Sequence, residues 1–379
     1  MRSIRNGFIG LAILLLTCLV ILGVTHEGRV AVATGLLVSE VLPNSRWRPL
    51  AGISGPPIVE ETEYAYVGGE GTGTVFRPND GNQHGAVILF LGVNPDLEDV
   101  TLRRTAEALA REGVVVLLPK PVELVQGKVS PLEVENLIGA FRFLRAATYV
   151  EPKRIGYAGF CVGSSLSLIA AADPRISSDV RFVNFFGGYF SAPDLLTAMT
   201  THQVPLGDTS QPWEPNQDAV QWFSQQLVSA VSDKDDRETL ERTLKAGRVG
   251  SDEVLAMSPG ARSVYLALTN RDVARAPLLY EELPDEVKAY FERLSPSAAL
   301  DWLQAKVFIM HDRNDSYVPY VESERLMEAL TAAEYPRKYY TQFDIFQHMH
   351  PDRALPPFDF AREVGKLYVH LFLIMLELA

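Results

Sequence analysis

Cysteine and runs of positive charge are scarce in this sequence. Only two of its 379 residues are cysteine, Cys18 in an apolar N-terminal stretch and Cys161 in the body, so the folded part has no disulfide framework. Acidic side chains outnumber basic ones by 47 to 35, and the net charge of -12 comes without a block of lysine and arginine. Nucleic-acid binding needs a basic surface, and we predict no nucleic-acid partner.

Internal repeats, low-complexity tracts and metal-ligand spacings are also absent from the sequence. None of the seven histidines has acids or cysteines around it in the spacing of a metal site, so we predict neither a metal nor another cofactor. What the chain does contain is a hydrophobic content of 47%, which is enough to bury a full core. Oligomeric state cannot be read from these features.

The longest uncharged stretch is at the N-terminus, where residues 7–24 follow Arg2 and Arg5. Its length lies at the lower limit for a spanning helix and above the usual apolar region of a secretory signal. We therefore predict that residues 1–28 form a single-pass transmembrane anchor, with the two arginines in the cytoplasm and the body outside it. The alternative is a signal peptide whose cleavage releases a secreted or periplasmic protein.

Short β-rich runs alternate with amphipathic helical patterns from Tyr64 onward, after a proline-punctuated lead-in across the surface at residues 29–63. This alternation indicates a mostly parallel central sheet flanked by helices, an α/β fold. The predicted strands are residues 72–77, 86–91, 114–119, 154–159, 181–186, 306–311 and 337–343.

The alternation stops between the fifth and sixth of these strands. The intervening segment is far longer than an ordinary loop and has no clear strand, which indicates an inserted helical cap at residues 188–299. The predicted core is then residues 64–187 and 300–379, closed by an apolar helix at residues 358–378 that packs on the sheet. The predicted cap helices are residues 218–231, 237–246 and 285–293.

The most informative run is Gly159-Phe160-Cys161-Val162-Gly163, which lies between an apolar strand and a helix rich in small residues. Glycines two positions either side of a central residue allow a strained turn that exposes its side chain above a sheet. The positive end of the following helix favours a thiolate at that position. The run therefore predicts a nucleophile elbow with Cys161 as the nucleophile, although a free cysteine can also be an inert core residue.

An acid and a base are expected later in the chain, after the last two strands. Asp315 lies several residues beyond the first of these strands and is the predicted acid, whereas the nearer Asp312 can serve as a turn residue. His348 follows the second strand and is the predicted base. His350, which precedes a proline, is the alternative base.

Backbone amides are expected to bind the oxyanion that forms during acyl transfer. The amide of Val162 directly follows the nucleophile, and the second donor is expected in the loop after residues 86–91, where we choose Val93. Asn94 could add its side chain or could only start a turn before Pro95. Four cap aromatics are candidate pocket walls or ordinary core: Trp213, Trp222, Tyr265 and Tyr280.

The elbow, the run from Asp315 to Pro319 and the late histidine together resemble the α/β-hydrolase superfamily over residues 64–379. A cysteine in the elbow resembles the dienelactone hydrolase family within it. That resemblance implies a Cys-His-Asp triad that cleaves lactone esters. The family usually has two glycines after its elbow and no large cap, whereas here Ser164 and Ser165 follow Gly163 and the cap is long.

These features predict a membrane-tethered hydrolase that cleaves a carboxylic ester, lactone or thioester of a small-molecule acyl substrate through a thioester intermediate. Polyhydroxyalkanoate synthases also resemble this elbow, so an acyltransferase is an alternative. A third possibility is a non-catalytic binding protein that retains the fold, because fold alone does not imply activity.

Overall fold

The computed structural model of the protein describes residues 23–42, 48–207, 209–247, 249–346, 348 and 354–379. Its strands are β1 (Ile58–Tyr66), β2 (Gly69–Arg77), β3 (His84–Phe90), β4 (Val115–Pro119), β5 (Val150–Phe160), β6 (Phe182–Phe186), β7 (Gln203–Leu206), β8 (Thr209–Pro212), β9 (Lys306–Asp312) and β10 (Lys338–Phe343). Its longer helices are α1 (His26–Val41), α2 (Pro49–Ile53), α3 (Val100–Arg111), α4 (Leu132–Ala146), α5 (Val162–Ala171), α6 (Ala192–Thr201), α7 (Gln217–Ser229), α8 (Lys234–Ala246), α9 (Ser251–Leu255), α10 (Pro259–Thr269), α11 (Ala276–Glu281), α12 (Asp285–Arg293), α13 (Val321–Ala332) and α14 (Pro357–Leu378).

One large sheet organises the described residues, with the strand order β1-β2-β4-β3-β5-β6-β9-β10. The strands from β4 to β10 in this order are parallel, and β1 and β2 form an antiparallel edge. The central strands are apolar along their whole length because helices cover both of their faces. Their carboxyl ends, where ligand sites of such sheets form, lie at one edge.

The side chains of each central strand alternate between two cores. On one face α4, α5 and α13 pack against residues such as Ile88 and Phe185. On the other face α1, α3 and α14 pack against residues such as Leu89 and Phe308. The sheet thus carries two independent apolar layers, and the second includes both the first and the last helix of the described chain.

The strands predicted for the core are present as β2 to β6, β9 and β10, with ends that shift by a few residues. The lead-in at residues 29–63 was predicted wrongly, because it holds α1, α2 and most of β1. β1 was missed since three glutamates interrupt its apolar alternation. Glu61 and Glu63 lie on the exposed side of this edge strand, and Glu60 pairs with Arg77 of β2. α1 buries Val30 and Leu37 in the second layer.

The cap residues 188–299 contain α6 to α12, and these helices have an apolar core of their own around Leu227, Val264 and Val287. The prediction that this region lacks strands was wrong, because β7 and β8 form an antiparallel hairpin there. Each of the two strands has only four residues, one of them a proline, which leaves too short a pattern to recognise.

The N-terminal anchor predicted at residues 1–28 lies, up to residue 22, outside the described residues. None of the helices in the described part of the chain is both long and apolar enough to cross a membrane. α1 begins after Thr25, which caps it through Gly28, and lies against α14, where the Tyr368 hydroxyl donates to the carbonyl of Ala31 at 3.0 Å.

Candidate active site

Cys161 forms the turn between β5 and α5. Its backbone has φ 55° and ψ −134°, a strained conformation for a residue with a side chain, and its amide donates to the carbonyl of Phe186 at 2.9 Å. The thiol is half-buried and lines a cavity of about 870 Å³. The turn therefore presents the sulfur at the carboxyl edge of the sheet, as the elbow motif predicts.

Three glycines make room for this turn. A Cβ on Gly159 would lie 2.2 Å from the Cα of Ser164, and one on Gly163 would lie 2.4 Å from the carbonyl oxygen of Phe90. Gly92, in the loop that follows β3, was not singled out from the sequence, yet a Cβ there would lie 2.9 Å from the Cβ of Cys161. A side chain at any of the three would displace the elbow.

His348 is hydrogen-bonded to Asp315, the predicted acid. Its Nδ1 lies 2.7 Å from Oδ2 of Asp315, although the two residues are 33 positions apart. Because Nδ1 donates to the carboxylate, Nε2 is the nitrogen available to a reacting group. The alternative base, His350, lies outside the described residues.

Asp315 is buried and held as a carboxylate. Its Oδ1 accepts from the backbone amides of Tyr317 at 2.7 Å and Val318 at 3.1 Å. Burial would raise its pKa, but the charge on His348 and the hydrogen bonds from His348 and His311 outweigh burial and hold the pKa well below the usual range. The carboxylate therefore stays ionised and can orient an imidazolium.

The imidazole of His348 also contacts Cys161. Burial would lower the pKa of His348, but negative charge on Cys161 and on Asp315, together with the hydrogen bond that Nδ1 donates to Asp315, holds that pKa well above 6.5. His348 thus forms a hydrogen-bonded pair with Asp315, and it lines the same cavity as Cys161.

Asp312, the other acid considered, is bonded within its own turn and to the backbone, and it does not touch His348. One of its oxygens accepts from Asn314 within its own turn, and the other accepts from the amide of Phe346 at 2.7 Å. The second bond ties the loop after β9 to the loop that carries His348. Asp312 therefore supports the position of the base without touching it.

Three further residues hold the acid and the base, and none was assigned this role from the sequence, although Trp213 was a candidate pocket wall. The ring of Tyr317 stacks on His348 with centroids 4.6 Å apart and planes at 22°. Trp213 donates its indole N–H to the carbonyl of Asp315 at 2.8 Å. His311 is fully buried with Nε2 3.3 Å from Oδ2 of Asp315. In the sequence, only their residue type, an aromatic or a histidine, pointed to these three positions.

The predicted oxyanion donors, Val93 and Val162, line the same cavity as the thiol. Val162 is the first residue of α5, and the first amides of a helix have no acceptor within it. Val93 follows Gly92, which approaches Cys161. Of the four cap aromatics, Trp222 lines the cavity, whereas Tyr265 is buried in the cap core.

No protein-family profile matches this chain, and no curated protein sequence does. Solved structures do resemble it. An acylaminoacyl peptidase in complex with Z-Gly-Gly-Phe-chloromethyl ketone shares 14% identity at a TM-score of 0.53, over 84% of this chain and 41% of the peptidase chain. The chain has the α/β-hydrolase fold.

Two other α/β-hydrolase structures resemble the chain to the same degree. Pyrococcus horikoshii acylaminoacyl peptidase has 13% identity and a TM-score of 0.53, over 86% of this chain and 42% of its own. Porphyromonas gingivalis dipeptidyl peptidase 4 has 14% identity and a TM-score of 0.51, over 86% and 36%. This chain therefore spans about two fifths of the length of these proteins, and at such identity the likeness is one of fold.

Proposed function

We propose that this α/β-hydrolase-fold protein hydrolyses carboxylic esters, lactones or thioesters through a thioester formed on Cys161. The observation that carries the proposal is the hydrogen bond between His348 and the buried Asp315, with His348 and Cys161 on the wall of one cavity. A buried, ionised acid, an imidazole with a raised pKa and a thiol on a strained turn are the parts that nucleophilic acyl transfer requires.

The reaction has two balanced halves. In the first, the Cys161 thiolate attacks the carbonyl carbon, a C–S bond forms, and the C–O or C–S bond to the leaving group breaks while His348 donates its proton to that group. In the second, water gives a proton to His348 and attacks the thioester, and the acid leaves as the thiolate is restored. The amides of Val93 and Val162 hold the oxyanion in both halves.

The nucleophile favours esters and thioesters over amides. A tetrahedral adduct expels its better leaving group. In an amide adduct the Cys161 thiolate leaves more readily than the amine. In an adduct with an activated ester or a thioester, the thiolate of Cys161 does not leave more readily than the alcohol or thiol of the substrate. A peptide adduct on Cys161 would therefore tend to return to substrate. The dienelactone hydrolase-like assignment stays a prediction, and transfer of the acyl group to an acceptor other than water is the related alternative.

A β-lactone acyl probe tests the proposal directly. We expect one acyl group on the peptide that contains Cys161, released by neutral hydroxylamine as a thioester is, with no label in Cys161→Ala and slower labelling in His348→Ala. Peptide mapping by mass spectrometry measures this. Label on another residue, or ester hydrolysis that survives Cys161→Ala, would contradict the proposal.

We further propose that residues 7–24 keep the protein on a membrane. The support is the lack of charge in this segment after two arginines. The full-length chain is expected to stay in the membrane pellet after alkaline carbonate extraction, and the double change Ile13→Arg and Leu16→Arg is expected to release it, because arginine in mid-helix is costly in a bilayer. Carbonate release of the unchanged chain, or a mature N-terminus beyond residue 28, would refute the anchor.

A further inference from the structure

The cavity at Cys161 extends in two directions. Towards the cap it is lined by residues that include Met199, Ala219, Trp222 and Phe223, and we call this part the cap lobe. Away from the cap it continues between the sheet and α14, where its walls include Leu89, Ala158, Met310, Leu371 and Met375, and we call this part the sheet lobe.

The sheet lobe is long. Its α14 wall runs from Val364 through Leu367 and Leu371 to Leu378, residues spaced so that they share one face of the helix. At a rise of about 1.5 Å per residue these positions extend over about 21 Å. α14 packs on the sheet, as the sequence predicted. An elongated apolar space remains between this face of the helix and the sheet.

The polar side chains buried in this lobe already have partners. Asn184 accepts from Nε2 of His370 at 2.9 Å and donates to the sulfur of Met310. Glu363 accepts from the amide of Asp344 at 3.0 Å and pairs with Lys366 at 2.8 Å. Because these groups are satisfied within the protein, a polar ligand would gain little here, whereas an apolar one would gain by burial.

Three aromatic rings line the cavity where the sheet lobe meets the catalytic group. Phe160 directly precedes Cys161, the carbonyl of Phe186 accepts the Cys161 amide, and Phe346 lies two residues before His348. The rings of Phe160 and Phe186 lie 5.7 Å apart, and those of Phe186 and Phe346 lie 5.2 Å apart. An apolar chain attached to a carbonyl at Cys161 would meet these rings first.

We propose that the sheet lobe binds the long unbranched acyl chain of the substrate, which makes the substrate class a long-chain acyl ester or thioester. This inference rests on the proposed function, because the chain is positioned by the acyl group on Cys161. The cap lobe receives the alcohol or thiol part. Each methylene group buried in the lobe is expected to raise kcat/KM, by up to about fourfold where burial is complete.

The test compares p-nitrophenyl esters from acetyl to palmitoyl, all with one leaving group. Ala158, near the carboxyl end of β5, is 8% exposed and lines the lobe, so Ala158→Phe should fill it. We expect the ratio of kcat/KM for palmitoyl to acetyl ester to fall at least about tenfold, because several methylene groups lose their site. Leu371→Trp, on the helix wall, should act in the same way and decides the matter if Ala158→Phe does not fold.

Ala219→Phe is the matched control, since it makes the same chemical change in the cap lobe. It is expected to leave the palmitoyl-to-acetyl ratio close to that of the unchanged protein. The acyl-chain assignment would be overturned if all four proteins had equal ratios, or if kcat/KM of the unchanged protein fell for esters longer than butyryl. In either case, Cys161-dependent hydrolysis of the acetyl ester would still support the proposed function. Absence of Cys161-dependent hydrolysis with every ester would overturn both.

Discussion

Cys161→Ala is expected to lower kcat/KM for an ester substrate by about 10³-fold or more, because loss of the nucleophile leaves only binding and oxyanion stabilisation. In the proposed mechanism the sulfur is the atom that forms the bond to the acyl group. Steady-state kinetics on a soluble ester measure the effect, and circular dichroism checks that the variant is folded.

Ser167→Ala is the matched control for this variant. Ser167 lies on α5, two turns beyond the elbow, and its buried hydroxyl has no hydrogen-bond partner among the described residues, so its removal should change kcat/KM less than about twofold. If Cys161→Ala were as active as Ser167→Ala, another residue would have to be the nucleophile and the proposed mechanism would be wrong.

Asp315→Asn is expected to lower kcat/KM by about 10²- to 10⁴-fold. The amide can keep accepting from the backbone at Tyr317 and Val318, but its other end carries no charge to stabilise the imidazolium. The pKa of His348 should then fall, because one of the two negative groups that raise it is gone. The measurement is kcat/KM as a function of pH.

Asp312→Asn distinguishes this effect from general damage to the loop. It makes the same change in another buried carboxylate, and an asparagine oxygen can still accept from the amide of Phe346. We expect a loss below about tenfold, since Asp312 does not contact the imidazole. A larger loss in Asp312→Asn than in Asp315→Asn would assign the role of acid to Asp312 instead.

Local sequence determined the elements with strong periodic or steric signals. The apolar strands of the core were predicted because their residues are buried on both faces. Such strands are continuous apolar runs, and this pattern does not depend on how the individual side chains pack. Edge strand β1 and hairpin β7–β8 were not predictable in this way, since half of an edge strand faces solvent and a four-residue strand has almost no period. The N-terminal segment is a prediction from composition alone.

The sequence by itself also determined the elbow. The turn brings Gly163 against the backbone of Phe90, where only glycine fits, and this steric requirement appears in the sequence as a glycine at that position. Only the tertiary structure decided what surrounds the sulfur. Gly92, Tyr317 and His311 reach the site from distant loops and strands, and the sheet lobe depends on how closely one helix approaches the sheet. The motif predicts the order of Asp315 and His348 along the chain, whereas these other contacts depend on how whole elements pack, and no local pattern encodes them.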